Sequence, residues 1–345
     1  MGIGEARSVW FSAERQVEIR TEQVRACGKG EITVEAIASA VSSGTEMTIY
    51  RGQAPTADTV LQLPADLIQP QETMGGSFAQ RFPIKYAYAS VGRVIEAGEG
   101  SGFNPGDLVF VRVPHESLYT VRAELAFPLP AWDPIDIGTQ MALLDVAVNA
   151  ILDVPVALGE VVAVYGQGAV GLYTSQLARR TAGKLIVVDP IAKRRDLGIK
   201  FGADAAVAPE DALEAIKEIS EGRGADLSIE ASGAPSALQT AIAGTGVEGT
   251  VLIPGYYGLK PVPLTLSPEF HMRRLKMFSS SVNALDGRFS QRWNIQRRLQ
   301  LVADVLPSLH PTEIITHRFP VEQAAQAYQL LDQHPEEVLS IVLTY

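Results

Sequence analysis

Three glycines at G-x-G-x-x-G spacing, Gly166-Gln167-Gly168-Ala169-Val170-Gly171, stand between an apolar run, Val161–Tyr165, and an amphipathic stretch from Ala169 to Arg180. Strand, turn and helix in that order suit a pyrophosphate: Gly166 makes the tight turn, Gly168 lets the backbone approach the phosphates, and Gly171 lets helix pack on strand. The anion then faces a helix N-terminus. A second apolar run, Leu185–Val188, ends at Asp189, 23 residues beyond Gly166. A carboxylate at that distance accepts hydrogen bonds from both hydroxyls of an adenosine ribose and repels a 2′-phosphate, which selects NAD over NADP. Lys193, Arg194 and Arg195 follow. They either soften that preference, with Arg194 counted among the cofactor-binding residues, or form the solvated first turn of the next helix. Farther on, Gly255-Tyr256-Tyr257-Gly258 follows the strand Thr250–Pro254, at the sheet edge where α/β folds hold ligands. Gly255 and Tyr256 therefore join the cofactor-binding candidates; whether the tyrosines meet nicotinamide, substrate or only their neighbours stays open.

The fingerprint needs a parallel sheet to carry it, and the chain supplies one. From about Ala142, apolar strands (VVAVYG, KLIVVD, ADLSIEAS, GTVLIPG) alternate with amphipathic stretches, the pattern of βαβ units whose sheet is covered on both faces. A Rossmann domain is expected over 142–281. The first third instead holds short, β-branched segments broken by Gly, Pro and Asn, which predicts a β-rich, barrel-like domain over 1–141. The tail 282–345 ends in a strand, LSIVLTY, that could rejoin it and make that domain discontinuous. Two domains also suit 345 residues, too many for one ordinary core. Between Gly52 and Pro83 a Pro-, Gln- and Gly-rich stretch reads as a candidate substrate-covering loop.

Composition narrows the partners. A net charge of −10 disfavours nucleic acid and anionic membranes, and 46% apolar with 20% charged residues is a globular composition. The single cysteine, Cys27, allows no intrachain disulfide and no four-cysteine zinc lobe. With no signal pattern at the N-terminus and no apolar run near the ~20 residues of a membrane span, a cytoplasmic protein acting on small molecules is expected. The five histidines show no metal-ligand spacing; His271, just before a late strand, is the one to watch. Arg288, Arg292, Arg297 and Arg298 are expected on a solvated helix face.

The order of Ser43-Gly44-Thr45-Glu46, Val91-Gly92-Arg93-Val94-Ile95-Glu96-Ala97-Gly98, Gly106-Asp107-Leu108-Val109, the glycine fingerprint, Gly202-Ala203-Asp204 and Ile315-Thr316-His317-Arg318-Phe319 resembles the medium-chain dehydrogenase/reductase superfamily over nearly the whole chain. In short motifs it is most similar to the bacteriochlorophyllide a dehydrogenase type. The resemblance implies a GroES-like β-barrel catalytic domain interrupted by the Rossmann domain, an NAD(P)-dependent oxidoreductase, and a homodimer. Zinc members hold their metal with a cysteine, a histidine with its adjacent glutamate, and a third ligand. Here those positions carry Ser43, Tyr88 with Ala89, and Met141-Ala142-Leu143-Leu144, none a donor suited to zinc. Glu46 and Asp145 are the nearby carboxylates by sequence, a poor zinc set without imidazole.

By the same resemblance, Ser43 and Thr45 fall where the reacting oxygen sits, Tyr88 projects into the space the metal leaves, and Ser280, in Ser279–Ser281, lies beside the nicotinamide carboxamide. Tyr88 is then either the hydrogen-bonding partner of the substrate oxygen or an aromatic wall, and Lys85 would lower its pKa if it points inward. The expected activity is zinc-independent, NAD-linked interconversion of a secondary alcohol and a ketone. An enoyl or quinone reductase using NAD(P)H and a non-catalytic dinucleotide-binding protein remain as alternatives.

Overall fold

The computed structural model describes residues 3–54, 82–283, 287–288 and 291–345. The chain divides into two compact units, Met1–Ala142 with Leu299–Tyr345, and Leu143–Arg298. Over 55–81 the expected covering loop lies outside the described residues.

The first unit is antiparallel. Strands β1 (Gly4–Ala13) and β2 (Gln16–Val24) form a hairpin. The spine is β3 (Glu31–Val41), whose run EITVEAIASAV is buried along most of its length. One edge of β3 pairs with β4 (Ser90–Ala97), and two register shifts, at Thr33/Val34 and Ala36/Ala38, bend it there. Its other edge takes β6 (Leu118–Arg122) at Glu31–Glu35 and β15 (Ser340–Thr344) at Ala38–Val41. The sheet continues through β5 (Leu108–Val111) to β7 (Ala126–Pro128) on one side, and on the other β15 pairs in parallel with β14 (Ile315–Pro320). The tail strand thus lies in the sheet of the first third. Helix α1 (Thr45–Tyr50) follows the spine, and the helix Ala324–Gln333 packs Ala327, Tyr328 and Leu331 into the core that holds Met47, Ile49 and Tyr50.

The second unit is a parallel six-stranded sheet ordered β10-β9-β8-β11-β12-β13: β8 is Val161–Tyr165, β9 Lys184–Val188, β10 Ala205–Val207, β11 Ala225–Glu230, β12 Thr245–Ile253 and β13 Lys276–Ser279. Counted from β8 this is 3-2-1-4-5-6, the doubly wound dinucleotide order. Side-chain alternation divides the central strand between two cores. Val161, Ala163 and Tyr165 enter one and Val162 and Val164 the other, so β8 is buried on both faces, as its unbroken apolar run requires. Helix α2 (Met141–Asp153) leads into this unit, and α3 (Ala169–Ala178), α4 (Ala192–Lys200), α5 (Ala212–Ile219) and α6 (Pro235–Gly244) connect its strands.

Three readings need correction. The second boundary falls after Arg298, not after Ser281. Arg298 is 1% exposed: its guanidinium donates to Asp145 at 2.6 and 3.1 Å, to the Asn149 carbonyl oxygen at 2.6 Å and to the Val282 carbonyl at 2.7 Å. These contacts bind 282–298 to α2 and take Arg298 off the solvated face where it was expected, whereas Arg297 does stay exposed, over the Trp293 ring. Finally, Ile135–Asp153 is long and apolar enough to cross a membrane, contrary to the expectation that no run is; it is 78% buried inside the protein, as a core helix is.

Candidate functional site

In the parallel-sheet unit each fingerprint glycine has a distinct steric reason. Gly166 sits at φ 88°, and a Cβ there would stand 2.6 Å from that of Ser232. A Cβ on Gly171 would lie 1.8 Å from the Gly166 carbonyl oxygen, so that turn and α3 can touch only through glycine. Around Gly168, the N-cap of α3, nothing lies within 4 Å of a Cβ, which leaves the room an approaching ligand needs. Ala169 and Val170 open the helix. The Gln167 side chain is fully buried: its amide donates to the Gly166 carbonyl at 3.1 Å and its oxygen accepts from Ser175 at 3.1 Å, tying the turn to α3.

Asp189 ends β9 with its carboxylate turned to the same turn. One oxygen accepts from the Gln167 N–H at 2.7 Å and the other from the Ile191 N–H at 2.8 Å. Two amides leave lone pairs on both oxygens for a ribose diol. The Arg194 guanidinium stands 4.0 Å from this carboxylate, while Arg195 caps the Asp189 and Pro190 carbonyls. The donor set thus fits a nicotinamide dinucleotide: open backbone at Gly168 for the phosphates and an anchored carboxylate for the ribose.

Other sequence candidates in this unit are engaged differently. The Ser280 hydroxyl donates to Asp153 at 2.6 Å and accepts from Asn149 at 3.1 Å, so it is turned into α2, and its backbone N–H donates to the Ile253 carbonyl at 3.0 Å. Gly255 packs where a Cβ would meet the Glu230 carboxylate at 2.7 Å. Tyr256 is exposed, but Tyr257 donates to Glu230 at 2.5 Å, and burial together with that carboxylate raises its pKa. Tyr257 is a structural strut. His271 is exposed on a one-turn helix, Glu269–Met272.

In the antiparallel unit, Tyr88 is half-buried and donates to the Ser42 hydroxyl at 2.5 Å, with Thr45 a further hydrogen-bonding neighbour. Burial first, then the Glu46 charge, push its phenol up to about 12. Lys85 does not do the opposite, as was expected. Its ammonium donates to Glu116 at 2.5 Å and Glu22 at 2.9 Å, away from Tyr88. Burial opposes that charge, but Glu116 and Glu22 outweigh it and hold the Lys85 pKa above its ordinary value. Lys85 is a structural ion-pair residue. Ser43 is exposed, and it is Ser42, not Ser43, that meets Tyr88.

Behind this cluster lie Glu46, weighed from sequence only as a carboxylate near the zinc positions, and His115. Glu46 and His115 are both fully buried and meet at 3.0 Å. His115 had been counted with the unremarkable histidines, since 69 residues separate it from Glu46 and no local spacing announces the pair.

The zinc-ligand positions carry the exposed Ser43, the Tyr88 phenol beside buried Ala89, and the buried side chains Met141–Leu144. These residues do not fit zinc, which takes thiolate, imidazole or carboxylate in a tetrahedral set. Asp145 is paired with Arg298, and Glu46 with His115. Among the described residues, the one His/Cys/Asp/Glu group close enough to share a cation is His334, Glu336 and Glu337, all exposed.

Comparison with known proteins agrees with this anatomy. A family described as zinc-binding dehydrogenase matches residues 169–296, within the parallel-sheet unit and clear of Ser43, Tyr88 and Met141–Leu144. D-guloside 3-dehydrogenase of Escherichia coli is 25% identical over 344 residues, 97% of this chain and 98% of its own length. The 2-desacetyl-2-hydroxyethyl bacteriochlorophyllide A dehydrogenase of Cereibacter sphaeroides is 25% identical, covering 95% of both chains. A crystal structure of a zinc-binding dehydrogenase from Sinorhizobium meliloti bound to NADP superposes with a TM-score of 0.76 at 19% identity, covering 99% of this chain and 100% of the other; at that identity it speaks for the fold alone.

Proposed function

The chain belongs to the medium-chain dehydrogenase/reductase superfamily and is an oxidoreductase of the NAD(P)-dependent alcohol dehydrogenase type; from that premise we propose that it interconverts a secondary alcohol and a ketone with NAD(H), without zinc. The observation that carries this reading is the Tyr88–Ser42–Thr45 hydroxyl cluster, whose Tyr88 stands at a position where the resemblance puts a zinc ligand. The relatives support the substrate class, being named as dehydrogenases of a guloside at position 3 and of a hydroxyethyl group. Asp189 supports NAD over NADP, because a 2′-phosphate would press a second anion against its carboxylate.

A bound nicotinamide supplies the hydride acceptor. This chain's residues must then handle the oxygen. As hydride reaches the carbonyl carbon in reduction, negative charge grows on the oxygen, and a preorganised O–H donor stabilises it; in oxidation the hydroxyl proton must leave as the hydride does. Tyr88, held neutral by burial, is such a donor: in reduction it gives its proton to the developing alkoxide and the phenolate regains one from solvent water, and in oxidation the same transfers run backwards, Tyr88 losing its proton to water as it takes that of the substrate hydroxyl. Ser42 and Thr45 orient its hydroxyl.

The test is a spectrophotometric screen of secondary alcohols, glycosides, ketones and enones with NAD(H) and NADP(H). Turnover of an alcohol–ketone pair with NAD(H) supports the reading. Reduction of enones alone, with NADPH, would replace it by the reductase alternative.

A further inference from the structure

Behind the Tyr88 cluster lies a buried chain of hydrogen bonds that the proposed chemistry does not itself use. One oxygen of the Glu46 carboxylate accepts from the Ser42 N–H at 2.8 Å; the other meets His115 Nε2 at 3.0 Å and the Tyr328 hydroxyl at 2.5 Å. His115 Nδ1 lies 2.6 Å from the Ser39 hydroxyl, which lies 2.8 Å from that of Tyr345. Ser39, Glu46, His115 and Tyr328 have no solvent exposure. They come from β3, from α1, from the segment between β5 and β6, and from the helix Ala324–Gln333.

The Glu46 carboxylate accepts from the Ser42 N–H, from His115 Nε2 and from the Tyr328 hydroxyl, and the Ser39 hydroxyl joins His115 Nδ1 to the Tyr345 hydroxyl. The carboxylate therefore collects three donors from three elements, and such charge-assisted bonds are the strong ones. Ser42 links this network to Tyr88. Its N–H is fixed by Glu46 and its hydroxyl receives the Tyr88 phenol, so a single residue carries both bonds.

We propose that Glu46, braced by His115 and Tyr328, is the positioning residue for Tyr88: it locks the Ser42 backbone and so fixes the direction in which the phenol presents its hydrogen. The proposal rests on the reading of Tyr88 as the donor to the substrate oxygen. Groups facing Tyr88 are Glu46 from α1, Arg112 from the segment after β5, Tyr328 from the helix Ala324–Gln333, and the Tyr86 ring at 6.0 Å. Of these, Glu46 is bonded to the backbone of Tyr88's own acceptor, Ser42.

Glu46→Gln keeps the shape but replaces one oxygen by an NH2, which then faces either the Ser42 N–H or the His115 and Tyr328 donors. Tyr328→Phe is the milder change, removing one donor while keeping the ring that stacks on Tyr50 at 5.5 Å. The experiment labels the tyrosine Cζ carbons of the full chain and records their NMR signals, with Tyr88→Phe identifying the Tyr88 resonance. The expected result is that this resonance moves in Glu46→Gln, and moves less in Tyr328→Phe, while those of Tyr165 and Tyr173 in the other unit stay. Turnover in Glu46→Gln falls about 10-fold or more, with the NADH dissociation constant unchanged, as for a misaimed catalytic group. If the Tyr88 resonance keeps its position in a folded Glu46→Gln and in Tyr328→Phe, Glu46 serves the core alone and the proposal is overturned; if Glu46→Gln does not fold, Tyr328→Phe decides. A shifted resonance with full turnover in Tyr88→Phe would instead overturn the catalytic reading of Tyr88 and leave its positioning by Glu46 standing.

Discussion

Tyr88 and Asp189 carry the functional argument, and each can be removed with little disturbance. Tyr88→Phe deletes one hydroxyl and keeps the ring, so turnover should fall roughly 10²-fold with dinucleotide affinity nearly unchanged, measured by steady-state rates and NADH binding. Because the Tyr88 phenol is held near 12, it stays a protonated donor through the neutral range. A rate limb between about pH 8 and 10 that disappears in Tyr88→Phe would contradict that assignment. Asp189→Ser should narrow an NAD preference of about 10-fold or more, roughly 1.4 kcal/mol, read from the kcat/KM ratio for the two cofactors. Legibility in sequence followed distance along the chain. Asp189 and the turn it anchors are 22 residues apart, and the glycine spacing points straight to them. The partners of Lys85, His115 and Arg298 lie 31, 69 and 153 residues away, so an ion-pair lysine passed for a modulator of Tyr88 and a buried arginine for a solvated one.

At the scale of elements, the strand–turn–helix unit β8–α3 separates folding from binding. Gly171→Ala places a methyl 1.8 Å from the Gly166 carbonyl and must push α3 off β8, an overpacking that costs about 1–3 kcal/mol. Gly168→Ala meets open space at an ordinary negative φ of −70°, so the fold should survive while a methyl enters the ground a pyrophosphate would occupy. Thermal unfolding and NADH titration together check this: Gly171→Ala should lower the melting temperature, and Gly168→Ala should weaken binding at an unchanged one. Strand periodicity made these elements readable in the sequence. That the tail strand could rejoin the first domain was also legible, but its partner β3 and the bends of β3 were not, since non-local register and register shifts leave no local pattern.

For the whole molecule, buried tyrosines set an alkaline limit. Burial raises the phenols of Tyr88, Tyr119, Tyr328 and Tyr345 in the antiparallel unit and of Tyr165, Tyr173 and Tyr257 in the parallel one. A phenol whose folded pKa exceeds its unfolded value of 10.0 contributes stability that is complete below that value and is lost as pH rises through the folded one, about 12 for Tyr88. Stability against denaturant should therefore fall steadily above pH 10. Ser43, Tyr88 and Met141–Leu144 offer no zinc donor, which sets this chain apart from what its matching family's description suggests. The most direct test measures NADH formation from a turned-over secondary alcohol by protein dialysed against a chelator, with zinc content determined on the same sample. The expected result is an undiminished rate at far less than one zinc per chain. A rate lost on chelation and restored by added zinc would contradict it.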